Sequence, residues 1–111
     1  MTDVDPDRLA GILRRISRVR ESVQGIDDGA FCTDPVLIDA TAYRIQHIGE
    51  AANKLSPALR GRHPQLPWQR IIGMRNLLAH TYDYVDAAVV WETATQRLDD
   101  IEAMCRTELG E

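Results

Sequence analysis

The run Pro67-Trp68-Gln69-Arg70-Ile71-Ile72-Gly73-Met74-Arg75-Asn76-Leu77-Leu78-Ala79-His80-Thr81-Tyr82 settles both the fold class and the chemistry expected of this chain. Proline is suited to the first position of a helix. Trp68, Ile71, Ile72, Leu77 and Leu78 then recur as the apolar side of a long helical segment. The second half, from Arg75 to Tyr82, interrupts that pattern with a guanidinium, an amide, an imidazole and a phenol. No other part of the chain gathers so many groups able to do chemistry.

If the helix continues through the run, Asn76 stands about 100° around from Arg75, His80 about 140° and Tyr82 about −20°. Asn76 and His80 are then an i, i+4 pair on one face. Arg75 and Tyr82 share a neighbouring stripe. Leu77, Leu78 and Ala79 fall elsewhere and are free to pack. The four polar groups border one strip, as the wall of a groove requires.

Outward from this run the pattern stays helical. Asp5-Pro6 reads as an N-cap and first turn, followed by Leu9, Leu13, Ile16, Val19 and Val23 at helical spacing. Arg14, Arg15, Arg18 and Arg20 fall mostly on the other faces, as a solvated surface or one that touches a partner or RNA. Gly25 to Gly29 reads as a turn. Thr33 or Asp34 caps a second helix entered by Pro35, with Val36, Leu37, Ala40, Ile48, Ala51, Ala52 and Leu55 as its apolar face. Ser56-Pro57 ends it and opens a short helix reaching Leu59 or Arg60. Gly61 to Pro64 is a loop. The segment from Pro67 loosens into a bend around Thr81 to Val85. Asp86 caps a last helix, with Val89, Val90, Thr93, Leu98, Ile101 and Cys105 inward and Gly110 at its end.

No stretch alternates with period two and no hairpin turn is signalled. The expected fold is all-α: four main helices and a short fifth in an antiparallel bundle. At 111 residues the chain is expected to form a single domain, 1–111. No run reaches the ~18 apolar residues of a membrane span. The acidic N-terminus lacks the apolar core of a secretory signal. A cytoplasmic protein is therefore expected, with Cys32 and Cys105 reduced and either buried or idle. A zinc site is not expected.

The net charge of −4 argues at first against a nucleic-acid partner. Its distribution argues the other way. Residues 51–82 carry Lys54, Arg60, Arg62, Arg70 and Arg75 and no acid, between two acidic flanks. Local potential rather than net charge attracts a phosphate backbone. Arg70, Arg62 and Lys54 are accordingly candidate RNA contacts, although a solvated helix surface has the same composition.

The residue types suit RNA cleavage by internal transesterification. The ribose 2′-hydroxyl attacks the adjacent phosphorus, so the nucleophile is the RNA's own. His80 can take the hydroxyl proton or protonate the departing 5′-oxygen. Arg75 can stabilise the charge that gathers on the phosphorane oxygens. Asn76 can bind a phosphate oxygen or orient the imidazole. One chain offers one such histidine in the run. A two-fold dimer apposing two copies supplies acid and base from different protomers. On residue types alone, these side chains are equally those of solvent contacts or structural hydrogen bonds.

Outside the run, Arg44 and Glu50 suit an interface or intrahelical contact, His47 a structural role, and His63 an exposed loop that binds RNA or a partner. Trp68 and Trp91 suit core or interface anchors.

The run resembles the HEPN ribonuclease motif of arginine, a polar residue, a short spacer and histidine. With Tyr82 added it resembles the HepT branch, the toxin half of HEPN/MNT toxin–antitoxin pairs. Ile48-Gly49-Glu50-Ala51-Ala52 with Leu55-Ser56, Pro67-Trp68 with Ile71 through Met74, and Val85-Asp86 with Trp91 are similar to the rest of that family's pattern. The resemblance implies a dimerising helical bundle and a metal-independent endoribonuclease without a cofactor. Arg75 and His80 would be its catalytic residues, assisted by Asn76. It further implies a cognate MNT-type nucleotidyltransferase antitoxin that transfers AMP onto Tyr82. The competing expectations are a non-catalytic HEPN-type subunit that binds nucleotide or RNA beside a nucleotidyltransferase, and a helical dimerisation module.

Overall fold

In a computed structural model, described for residues 4–76 and 86–111, every regular element is helical. The elements are α1 (Asp5–Val23), α2 (Asp28–Cys32), α3 (Pro35–Asn53), α4 (Pro57–Gly61), α5 (Trp68–Gly73), a 3₁₀ turn at Met74–Asn76, α6 (Ala87–Gln96) and α7 (Asp99–Glu108). Seven α-helices among the described residues exceed the four or five expected. The expectations for Leu77, Leu78, His80, Tyr82 and the bend at Thr81 to Val85 fall outside the described residues.

The two long helices, α1 and α3, pack on each other and form the frame. Helix α7 rests on α1, α6 on α1, α2 and α3, and α5 with its 3₁₀ turn on α3. One contiguous core draws on all seven helices. On α1 its members are Leu9, Ile12, Ile16 and Val19, with Leu13 and Val23 at its margin.

On α3 the inward stripe is Ile38, Ala42, Ile45, Ile48 and Ala52, continued by Leu55. This corrects the apolar face expected there. Val36 is 80% exposed, because nine residues before Ile45 is about half a turn away on a helix. Val89 is likewise exposed, and Ala94 takes the inward place beside Val90 and Thr93.

The caps follow side-chain chemistry closely. Asp34 accepts from Leu37 N, Ser56 from Leu59 N, and Asp86 from Ala88 N and Val89 N. Thr33 instead donates back to Gly29 O and Ala30 O. Asp5 is no cap either: it is the first residue of α1 and buried. Its carboxylate accepts from Ser56 N at 3.0 Å and Ser56 Oγ at 2.6 Å, tying the start of α1 to the start of α4.

Two helix boundaries were not anticipated. Asp27 caps α2 by accepting from Ala30 N, which carries Phe31 fully into the core against Trp91, ring centroids 5.2 Å apart. The expected last helix is two helices, broken at Arg97 and Leu98. Leu98 is buried at the break, and Asp99, Asp100 and Glu102 occupy the first turn of α7. Acids favour a helix N-terminus, so that cluster was the available signal.

Candidate active site

The expected catalytic segment begins where α5 ends. Trp68 N donates to Leu66 O, and both Arg70 N and Ile71 N reach Pro67 O at 3.0 Å, so the helix starts tightly on its proline. Trp68 Nε1 donates to His63 O at 2.8 Å, pinning the entry to the preceding loop. Only six residues later the α-helix gives way to the 3₁₀ turn that holds Arg75 and Asn76. Arg75 and Asn76 therefore do not ride on one uninterrupted α-helix from Pro67. A 3₁₀ turn has 3.0 residues per turn, so neighbours diverge by about 120° rather than about 100°.

The reason lies in the partner helix. Gly49 of α3 is buried directly beneath the turn. A Cβ at that position would lie 2.9 Å from Met74 C and 3.0 Å from Ile71 O, and closer still to Arg75 N. All three are backbone atoms, which cannot swing aside as a side-chain tip does. The missing side chain lets the turn settle onto α3. Arg75 is half-buried there and Asn76 is exposed. Among the described residues the Arg75 guanidinium has no carboxylate within ion-pair distance. A guanidinium on a half-buried residue, with no described carboxylate to neutralise it, is suited to an anionic phosphate.

The other basic candidates separate. Lys54, at the C-cap of α3, lines a groove between α1 and α3. Arg70 lines a groove of about 370 Å³ between α5 and α6, together with Met74, Glu92 and Arg97. Arg62 grips Glu108 of α7 through Nε at 3.1 Å and Nη2 at 2.5 Å. The acid-free run 51–82 thus meets Glu108 of α7 in space, and Arg62 is charge-compensated.

His63 is not the exposed loop residue expected. Its side chain is 12% exposed, and Nε2 lies 2.6 Å from Glu108 Oε2. The Arg62 and His63 hydrogen bonds hold the Glu108 carboxyl down to about 2. Among the described residues Arg44 Nη1 donates to Ser22 Oγ at 2.9 Å, joining α3 to the end of α1 rather than to a residue of its own helix. His47 packs its ring against Tyr43, centroids 4.4 Å apart.

Both cysteines are free. Burial pushes the Cys105 thiol up to about 12, and Cys32 is raised by its hydrogen bond to Asp28. Neither is an activated nucleophile. Among the described residues no three His, Cys, Asp or Glu side chains converge as a metal-holding group. No described helix is long and apolar enough to cross a membrane.

The family described as "Ribonuclease HepT-like" matches residues 12–108. A protein of Caldanaerobacter subterraneus subsp. tengcongensis, named "Putative RNase", is 36% identical over 94 residues, covering 85% of this chain and 84% of its own. One from Methanocaldococcus jannaschii with the same designation is 30% identical over 94 residues, covering 85% of this chain and 81% of its own. A "Probable ribonuclease HepT" of Thermococcus cleftensis is 28% identical over 96 residues, covering 86% and 87%. No solved structure matches. Coverage of this extent takes in α3, the 3₁₀ turn and α6 together, and on it the chain belongs to the HepT-like ribonuclease family.

Proposed function

We propose that the chain is an endoribonuclease and the toxin of a toxin–antitoxin pair, cutting RNA by 2′-hydroxyl attack without a metal ion. The observation that carries this reading is the seat of Arg75. A backbone turn pressed onto Gly49 holds the half-buried Arg75, whose guanidinium no described carboxylate neutralises. Such a group suits the extra negative charge of a phosphorane.

His80 serves as acid or base, and Asn76, next to Arg75 and exposed, supports the phosphate or the imidazole. The 2′-oxygen bonds to phosphorus as the 5′-oxygen leaves. One proton passes to the base and another goes from the acid to the leaving oxygen. The products are a 2′,3′-cyclic phosphate and a 5′-hydroxyl. Acid and base come from two protomers of a homodimer whose interface forms the cleft.

Purified protein is expected to cleave RNA in the presence of EDTA and to spare a substrate with 2′-deoxyribose at the scissile position. Arg75→Ala and His80→Ala are each expected to lower cleavage at least a hundredfold, with the melting temperature and sedimentation unchanged. Undiminished cleavage by both variants would overturn the assignment.

Tyr82 is the modification site. Its phenolic oxygen attacks the α-phosphorus of ATP on a nucleotidyltransferase antitoxin, pyrophosphate leaves, and the bulky anionic adenylyl group engages the phosphate-binding charge near Arg75. Intact mass after incubation with that partner and ATP is expected to rise by adenylyl increments in the wild type and not in Tyr82→Phe. Equal gain in both would place the modification elsewhere.

A further inference from the structure

The outward side of α1 and α3 carries a second feature, away from Gly49. Between the two helices runs an open groove of about 290 Å³. Its α1 wall is Asp7, Arg8, Gly11, Arg14 and Arg15, two interleaved ladders of three- and four-residue steps. Such steps stack side chains on one helix face. Its α3 wall includes His47, Glu50 and Lys54. The same stripe of α3 continues one turn back to Tyr43, since 43, 47, 50 and 54 step by four, three and four.

The floor of the groove is Gly11, which is buried. Arg15 Nη1 lies 3.5 Å, and Arg14 Nη2 3.6 Å, from where a Cβ of Gly11 would stand. Two guanidinium heads therefore lie against the same point of the floor. Arg8 Nη1 donates to Lys54 O at 2.9 Å and closes the groove at the C-cap of α3. Among the described residues Arg8, Arg14, Arg15 and Lys54 have no carboxylate within ion-pair distance, whereas Arg20, Arg62, Arg97 and Arg106 all do. Four cations with no such carboxylate line this one groove, in a chain whose net charge is −4. Four cations outnumber the two carboxylates, Asp7 and Glu50, that share the walls.

At the His47 end the groove meets an aromatic surface. Tyr43 is 57% exposed and its ring lies 4.4 Å from that of His47. A large aromatic ring left this far in water beside a row of cations offers a stacking surface. A cation-lined channel ending on exposed aromatic faces is the physical design of a single-strand nucleic-acid track: charge follows the backbone and rings receive bases.

We propose that the α1–α3 groove binds single-stranded RNA outside the cleavage site, with phosphates on Arg8, Arg14, Arg15 and Lys54 and a base stacked on Tyr43 and His47. The choice of RNA as the polyanion rests on the ribonuclease reading. Asp7 and Glu50 share the walls and keep the channel from being uniformly positive.

The test uses the full-length protein and a short fluorescent single-stranded RNA, 2′-O-methylated so that internal attack is blocked. Affinity is read by anisotropy across a salt series. The charge reversal R14E/R15E is expected to raise Kd at least about tenfold and to reduce the log–log salt slope by about 0.7 for each phosphate that the variant no longer neutralises. Tyr43→Ala is expected to raise Kd about tenfold with the slope unchanged, and Tyr43→Phe to bind like the wild type. Melting temperatures equal to wild type establish that the folded variants are being compared; any variant that melts early is replaced by R14Q/R15Q or Tyr43→Ser.

Kd and slope indifferent to both changes overturn the groove. So does a Tyr43→Ala protein that loses a dimer in sedimentation yet keeps its RNA affinity, since the face would then belong to a second copy. Cleavage of unmodified RNA is scored separately. A wild type that cleaves but ignores both changes retains the ribonuclease reading and loses the groove. A wild type that binds through the groove but cleaves no RNA does the reverse.

Discussion

Gly49 is the residue on which the proposed chemistry turns, although it contributes no functional group. Its lack of a Cβ admits the backbone of Ile71, Met74 and Arg75. Replacing it with alanine places a methyl group inside that contact, and α3 or the turn must move. Overpacking of this kind costs about 1–3 kcal/mol. Gly49→Ala is therefore expected to lower the melting temperature and to reduce RNA cleavage by at least tenfold, because Arg75 shifts with its backbone. Circular dichroism melts and cleavage rates on the same preparation check both parts. A variant as stable and as active as wild type would show that the turn's seat is irrelevant. The sequence marked Gly49 only as part of a family-like pattern. A glycine within a helix reads as a weak point until the backbone that crosses it is known.

The short elements beside the two long helices are held by their ends. Helix α4 has only five residues, and a helix of that length is marginal without outside support. Ser56 supplies it twice, capping Leu59 N and donating to Asp5 Oδ2 at 2.6 Å. Ser56→Ala is expected to cost about 1–3 kcal/mol, a lost cap plus a weakened buried bond. Urea unfolding measures it; a change under about 0.5 kcal/mol, the usual limit for an inconsequential surface substitution, would mean the link is incidental. Local chemistry predicted the Ser56, Asp34 and Asp86 caps because each is a side chain answering its own helix's N–H groups. It misassigned Asp5 because that carboxylate's partner lies 51 residues away. The same distinction explains α5. Trp68, Ile71 and Ile72 carry helical spacing, but the change to a 3₁₀ turn at Met74 follows from the contact with α3.

At the scale of the molecule, the C-terminal helix is clamped to the middle of the chain through Glu108, whose carboxylate meets both Arg62 and His63. Its carboxyl falls from 4.5 to about 2, chiefly through the Arg62 hydrogen bond and then that of His63. A depressed carboxyl stabilises the fold while ionised. The contribution is fully present above about pH 4.5 and is lost as pH falls toward about 2. Wild type is thus expected to lose melting temperature steeply across that window, and Glu108→Gln to be less stable above it and flatter within it. Parallel curves for the two proteins would remove Glu108 from acid stability. Charge counting along the chain assigned residues 51–82 a positive balance, yet Arg62 spends its charge on α7 while Arg14 and Arg15, outside that run, have no carboxylate within ion-pair distance among the described residues. Which cations are available is a property of the folded surface.

The all-α class, the capped starts of α3, α4 and α6, and the family to which the chain belongs were legible from residues alone, because periodicity and capping are local and motifs are linear. Membership of the HepT-like family rests on the same linear information. The phase of the α3 core stripe, the break at Leu98, the capture of His63 by Glu108 and the seating of Arg75 on Gly49 were settled by packing. Each depends on which helix lies opposite, and no spacing along one strand of sequence encodes its neighbour's distance. The run from Arg75 to Tyr82 carries the proposed chemistry. Gly49, 26 residues earlier, supplies the room in which its first residue is held.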